Sequence, residues 1–265
     1  MNLILLDRAE LGADGTVRLS GARAGHLATV LKVAPGQVVR VGVLEGASGV
    51  ATVTSLDYGT VELSCRLDTV VPPRPPVDVL LAVPRPKVMR RLWAQLAALG
   101  VGQIILTNAA RVERDYFDTH VLTPECYRPL LIEGLQQARD TRLPPVSIHK
   151  QFKVLIEDRL DTLFERGPRL VADPRCETPL TAVVREHAGE RILLAIGPEG
   201  GWNDFELTLL DAHGFKAVGM GPRTLRSDTA CVALLTLAHD ALHHAGERGT
   251  ARESRADGQP APARG

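Results

Sequence analysis

Aromatic residues are scarce: Phe, Trp and Tyr together make up 4% of the 265 residues. The core must therefore be built from Leu, Val, Ala and Ile, and a hydrophobic content of 45% is ample for that. Net charge is also missing, since 31 basic side chains offset 31 acidic ones for a formal charge of +0 at pH 7. That balance excludes polyanion binding by bulk charge and leaves a local basic patch as the electrostatic route to one. The four cysteines, Cys65, Cys126, Cys176 and Cys231, are far apart, and no C-x-x-C pair occurs. Such spacing fits small buried thiols in a reducing compartment, not a disulfide framework or a zinc site, and no metal is expected. His243 and His244 are adjacent and so do not share a helical face. Long apolar runs are absent as well. Leu3-Ile4-Leu5-Leu6 is far too short for a signal core, and nothing approaches a membrane span. A cytoplasmic chain without membrane contact is expected.

What is present divides the chain. Residues 1–71 carry short β-branched runs at 38–43, 50–56 and 61–65, separated by turns such as Pro35-Gly36. Within them, Leu27, Val30 and Leu31 fall at i, i+3, i+4, so 26–32 reads as a short helix in a small β-barrel domain. Residues 72–76, Pro-Pro-Arg-Pro-Pro, read as a stiff linker. From 77 the pattern alternates. Strands are predicted at 79–83, 103–107, 146–149, 169–172, 192–196 and 217–220. Helices are predicted at 88–99, 124–139, 152–164, 180–187, 203–213 and 229–243. Repeating strand–helix units with apolar strands imply an α/β domain over 77–245 with a parallel sheet covered on both faces. Residues 246–265 hold almost no large apolar side chain and read as a disordered tail.

Two glycine-rich turns stand out. Ile196-Gly197-Pro198-Glu199-Gly200-Gly201-Trp202 and Met220-Gly221-Pro222-Arg223-Thr224-Leu225-Arg226-Ser227-Asp228-Thr229-Ala230 each follow an apolar strand and open a helix. Asn203 with Glu206 three residues on has the form of a capping box. Two such loops at neighbouring strand ends make the crevice in which α/β proteins bind small ligands. Neither matches the dinucleotide fingerprint G-x-G-x-x-G or the Lys of a phosphate-binding P-loop, which disfavours an NAD-binding enzyme. Ser227, Asp228 or Thr229 can cap the final helix, and Arg223 and Arg226 can pin a phosphate or an electron-rich carbonyl.

The pairing of these two motifs closely resembles the bacterial 16S ribosomal RNA uridine-N3 methyltransferases, of the SPOUT superfamily, which act on uridine 1498 in that RNA's numbering. The resemblance extends to Leu99-Gly100-Val101 and to Glu133, Gln136 and Arg139 ahead of Leu143-Pro144-Pro145. Three positions depart from the family's usual pattern: Asp228 replaces a Glu, and Gln95 and Ala98 stand where a Lys and a Glu are frequent. The resemblance implies a PUA-like RNA-binding β-barrel, then a parallel-sheet domain closed by a deep trefoil knot. It implies a homodimer that binds S-adenosylmethionine and takes 16S ribosomal RNA or the small ribosomal subunit as its partner. Cofactor contacts would fall on Ile196, Gly197, Pro198, Gly200, Gly201, Met220, Gly221, Leu225, Arg226, Thr229 and Ala230.

Methylating uridine N3 needs a positioned methyl donor, an acceptor for the N3 proton and stabilisation of charge on O2 and O4. Arg226 is the candidate for the last role, and Glu199 or Asp228 would accept the proton or hold Arg226. For RNA contact, Arg23, His26 and Lys32 surround the short N-terminal helix. Arg85, Lys87 and Arg90, with Arg74 and Arg91, form the densest basic cluster, which Arg111 and Arg139 can extend. Two other readings stay open: a related enzyme that methylates another base or a ribose, and a non-catalytic RNA-binding factor in ribosome assembly.

Overall fold

The computed structural model describes residues 3–57 and 59–256. In chain order its elements are β1 (Ile4–Leu6), β2 (Thr16–Ser20), α1 (Gly21–Thr29), β3 (Val38–Val43), β4 (Ser48–Asp57), β5 (Thr60–Leu67), β6 (Val77–Ala82), α2 (Pro86–Ala98), β7 (Val101–Thr107), α3 (Pro124–Ala138) and β8 (Val146–His149). There follow α4 (Phe152–Val154), α5 (Leu160–Leu163), β9 (Arg169–Ala172), α6 (Leu180–Glu186), β10 (Ile192–Ile196), α7 (Asp204–Ala212), β11 (Phe215–Val218) and α8 (Ser227–Ala256). The chain forms two compact units. One comprises the chain up to Pro75 with Met89–Gly102 and Thr119–Pro145, and the other Pro76–Val88, Gln103–Asp118 and the chain from Val146 on. The units are therefore not contiguous in sequence, and α2 is divided between them.

The first unit holds a five-stranded sheet in the order β1-β3-β4-β5-β2, parallel only between β1 and β3. From β2 to β5 its core follows a period of two: Val17 and Leu19, Val39 and Val41, Ala51 and Val53, Val61 and Leu63 turn inward with Ala24 and Leu27 of α1. The helix begins at Gly21, five residues before the position read from the sequence, and two strands, β1 and β2, were not foreseen at all. In β1, buried side chains succeed one another without alternation, and in β2 the apolar pair Val17 and Leu19 is too short a signal. The segment after α3 is pinned to the β3–β4 turn. Thr141 is fully buried, its hydroxyl donates to the Gly46 carbonyl at 2.6 Å, and its own carbonyl accepts the Glu45 N–H at 2.9 Å. Arg74 joins the same knot of contacts, donating to the Glu45 carboxylate at 2.7 Å and to the Leu143 carbonyl at 2.8 Å.

The second unit is built on a six-stranded sheet in the order β11-β9-β10-β6-β7-β8, whose recorded pairs are all parallel. Every residue of β6 and β10 is buried, as expected for strands covered on both faces. α6 packs on α8, and α8 lies against β10 and β6. The helix read over 152–164 is interrupted by a π-turn at Leu155–Arg159, a single wide turn that separates α4 from α5. The final helix runs well past His243: α8 extends to Ala256, into the stretch read as a disordered tail, because Ala, Arg and Glu propagate a helix that packing has already nucleated. The rest of that tail, 257–265, lies outside the described residues. No helix among the described residues is long and apolar enough to cross a membrane. All four cysteines are free, but only Cys231 is buried; the expected burial of the other three is not met, since each sits half-exposed.

Candidate active site

Parallel strands deliver their C-terminal ends to one edge of a sheet, and the loops leaving them are neighbours there. The registers Ala195 opposite Val171 and Val218 opposite Ala172 bring the ends of β10, β9 and β11 side by side. Three loops leave this edge: Asp173-Pro174 after β9, Gly197 to Gly201 after β10, and Gly219 to Leu225 after β11. With Ser227, Ala230 and Leu234 of α8 they wall a cleft of about 590 Å³, partly open to solvent. Ile196, Pro198, Val218, Leu225 and Leu234 make the walls largely apolar.

The glycines shape this cleft. Gly201 and Gly221 take φ of +72° and +109°, in the region that side-chain-bearing residues rarely enter. Gly219 is held by steric closeness: a Cβ there would collide with the Cys176 carbonyl oxygen. The Gly219 carbonyl accepts the Leu180 N–H at 2.9 Å, and its N–H donates to the Thr178 carbonyl at 2.8 Å, so the β11 loop cannot drift away. Beneath the β10 loop lies buried Trp202, its ring centroid 5.3 Å from that of Phe152, and a Cβ on Gly197 would stand 3.1 Å from the indole.

A second set of contacts holds the β10 loop from the side of β7. The Arg111 guanidinium donates to the Gly200 carbonyl and, at 3.4 Å, to that of Gly201. Glu206 is 3% exposed, yet both its oxygens are used: one accepts the Ala110 N–H at 2.7 Å, the other the Asn203 N–H at 2.8 Å. Asn203 returns the bond by accepting the Glu206 N–H at 2.8 Å, so the capping box read from the sequence is formed. The same carboxylate thus caps α7 and ties the loop after β7 to the loop after β10. Replacing Glu206 with Ala is expected to lower the unfolding free energy by about 2–4 kcal/mol, because two charge-assisted bonds vanish and leave two N–H donors unserved. Equilibrium urea denaturation measures this. A loss within about 0.5 kcal/mol, the usual scatter of surface substitutions, would show that the clamp is dispensable.

Of the residues read as cofactor contacts, Ile196, Gly197, Pro198, Gly201, Met220, Gly221, Leu225 and Ala230 line the cleft. Gly200 sits instead against the aliphatic stem of Arg111, and Arg226 and Thr229 stand beside the lining residues at the start of α8. Glu199 is on the wall, 3.5 Å from the Arg85 guanidinium across an exposed ion pair. Asp228 accepts the Thr229 N–H at 2.9 Å. Burial, with the Asp228 carboxylate adding to it, pushes the Cys231 thiol up to about 12, so it stays protonated and is no nucleophile.

The residues singled out for RNA fall in both units. His26, Lys32, Arg90 and Arg139 are exposed in the first, and Arg85 and Lys87 in the second. Arg23 is engaged within the fold, donating to Glu10 at 2.7 Å and to the Leu5 carbonyl at 2.6 Å, and Arg111 is committed to the glycine loop. The sequence reading passed over the β9 loop. Asp173 lines the cleft, and hydrogen bonds from Arg175, with contacts of 2.9 and 3.1 Å, hold its carboxyl below the usual range. The signal was there, since Asp173-Pro174 is a turn pair directly after an apolar strand. Ser227 was considered only as a cap. Its hydroxyl is buried, without a hydrogen-bond partner among the described residues, on a residue that lines the cleft.

An α/β unit with two glycine loops and an Asp-Pro loop at three adjacent strand ends has the architecture of a small-molecule-binding domain, and a family profile described as an RNA methyltransferase domain matches residues 72–239. Ribosomal RNA small subunit methyltransferase E of Treponema pallidum is 30% identical over 249 residues, covering 90% of this chain and 92% of that one. The protein of the same name from Synechocystis is 30% identical over 229 residues, covering 82% and 70%. The crystal structure of a ribosomal RNA small subunit methyltransferase E from Neisseria gonorrhoeae bound to S-adenosyl methionine shares the fold, with a TM-score of 0.71 at 22% identity over 89% of this chain and 95% of that one. The chain belongs to the ribosomal RNA small subunit methyltransferase E family.

Proposed function

We propose that the protein transfers the methyl group of S-adenosylmethionine to N3 of a uridine in small-subunit ribosomal RNA, uridine 1498 in that RNA's numbering. The observation that carries the reading is the convergence of the three loops on one apolar cleft, within a chain of this family. The lining suits the cofactor: Ile196, Leu225 and Leu234 would hold an adenine ring on apolar surface, the side-chain-free glycines would let the backbone approach it, and the Ser227 hydroxyl would offer a polar contact. When bound, S-adenosylmethionine supplies an electrophilic methyl on a sulfonium, which leaves as a neutral thioether while the N3–carbon bond forms and the N3 proton departs.

The chain's own residues hold and polarise the base. Arg226 stabilises the negative charge that spreads onto O2 and O4 as the proton leaves. Of the two carboxylates, Glu199 stands on the cleft wall while Asp228 serves the Thr229 N–H, so Glu199 is assigned the proton and Asp228 the support of the α8 start. In this reading the first unit's β-sheet domain is PUA-like and binds RNA. The β11 loop and α8 complete a trefoil knot, two chains form a homodimer, and the enzyme works in the cytoplasm on the assembled small subunit.

The test is methyl transfer with labelled S-adenosylmethionine to small subunits that lack N3-methyluridine, followed by nucleoside mass spectrometry. N3-methyluridine at the expected position is the predicted product. A different methylated nucleoside would keep the cofactor and overturn the target.

A further inference from the structure

Three arginines meet around a second cavity, in the first unit. Arg40 lies on β3 and Arg66 on β5, and the register sets both opposite Val50 of β4, one on either side. Val39 and Val41 are buried, so Arg40 projects from the outer face of the sheet, and Arg66 stands on that face two strand spacings away, roughly 10 Å. Arg139 arrives from the C-terminal end of α3. Leu3, Ser48 and Asp68 close the cavity.

The position of Arg139 is fixed. The Gln136 carbonyl accepts the Leu3 N–H at 3.0 Å, and buried Thr141 is bonded to the β3–β4 turn on the other side. Arg139 itself takes φ +61° and ψ +36°, a left-handed conformation that Gly or Asn adopts at lower cost. Other arginines of this unit serve the fold: Arg23 holds Glu10 at 2.7 Å, while Arg74 and Arg142 hold Glu45 at 2.7 and 3.4 Å. Arg40, Arg66 and Arg139 make no side-chain hydrogen bond or ion pair among the described residues. Asp68 is the one carboxylate among the residues lining the cavity, against three guanidinium groups. Three idle cations held together by fold contacts repel one another, and an anion at their centre relieves that repulsion.

We propose that Arg40, Arg66 and Arg139 form a phosphate-recognition site for the RNA backbone, sharing no residue with the methyl-transfer cleft. The inference rests on the RNA substrate of the proposed function. Guanidinium forks grip phosphate oxygens in pairs, and contacts of this kind set the register of a nucleic acid without reading its bases. The site therefore anchors RNA outside the target nucleotide. It also answers how a chain of zero net charge holds a polyanion, by local concentration of unpaired arginine.

The experiment compares the full chain with R40A/R66A/R139A and with R8A/R166A/R185A, which removes three exposed arginines elsewhere. Affinity for a small-subunit ribosomal RNA fragment is followed by fluorescence anisotropy across a salt series. The first variant is expected to lose at least about 10-fold in affinity and to flatten the slope of log affinity against log salt by roughly 2 to 3. The second should match wild type, and both should keep the wild-type melting temperature. Equal losses in the two variants would overturn the site in favour of diffuse charge, and no loss in the first would overturn it outright. Polyglutamate is the third arm. Polyglutamate binding that depends on the three arginines, with RNA binding left intact, would assign the cavity to an acidic protein instead and overturn the proposal. Methyl transfer is read separately. RNA binding that depends on the three arginines, in a protein yielding no N3-methyluridine, would support the phosphate site and refute only the uridine reading.

Discussion

Replacing Arg226 with Ala should slow methyl transfer by about 10²–10³-fold, the usual cost of removing one preorganised group that stabilises developing charge. The effect should fall on kcat, because the charge on O2 and O4 appears only as N3 loses its proton. Arg226 is exposed, and its carbonyl accepts the Ala230 N–H at 2.8 Å as part of the first turn of α8. The backbone role survives the substitution, so the fold and the affinity for S-adenosylmethionine should be close to wild type. Single-turnover kinetics with calorimetric titration of the cofactor separates the two effects. Full activity in the variant would remove Arg226 from the mechanism, and a parallel loss of cofactor affinity would move it into the cofactor site.

Replacing Gly219 with Ala should be the most damaging single methyl group added to a glycine of the cleft wall. The added carbon would meet the Cys176 backbone carbonyl, which cannot swing aside as a flexible side chain could. Gly219 is tied through both its backbone groups, to Leu180 and to Thr178, so relief requires breaking a hydrogen bond or displacing the β9 loop. Overpacking at such a point costs about 3 kcal/mol. Since Gly219 lies on the cleft wall, cofactor affinity should fall as well. Denaturant unfolding and a cofactor titration measure the two losses. A variant with wild-type stability and affinity would show that the β9 and β11 loops move independently, contrary to the clamp described.

Much of the second unit was legible because its signals are local. Apolar runs of strand length punctuated by Gly and Pro located β9 and β10 at the residues observed, and the Asn203–Glu206 spacing located the start of α7. In the first unit β1 and β2 were missed, since three and five residues are too few for a pattern to rise above composition. The far end of α8 was misjudged for the opposite reason: its sequence holds no large apolar residue to mark a helix, and continuity with the preceding helix outweighs that.

The candidate site divides along the same line. Residues inside the two motifs could be named from their order alone, because a turn after a strand needs glycine and a helix start needs a cap. Which other residues meet them could not. Glu206 reads locally as half of a capping box, and only the fold brings the Ala110 N–H, 96 positions away, to its second oxygen. Arg111 reads as an extension of the basic cluster for RNA contact, and only the fold lays it along Gly200. Asp173 reads as a turn residue until the strand order sets β9 beside β10 and β11. From its order alone the chain yields the alternation of strands and helices in the second unit, the bounds of β9 and β10, the start of α7 and the two glycine loops, all governed by contacts between near neighbours in the chain. The tertiary structure alone decided the strand order, the third loop of the cleft, the clamp on the glycine turn and the meeting of Arg40, Arg66 and Arg139. Those depend on contacts between distant residues, whose pairing no local preference encodes.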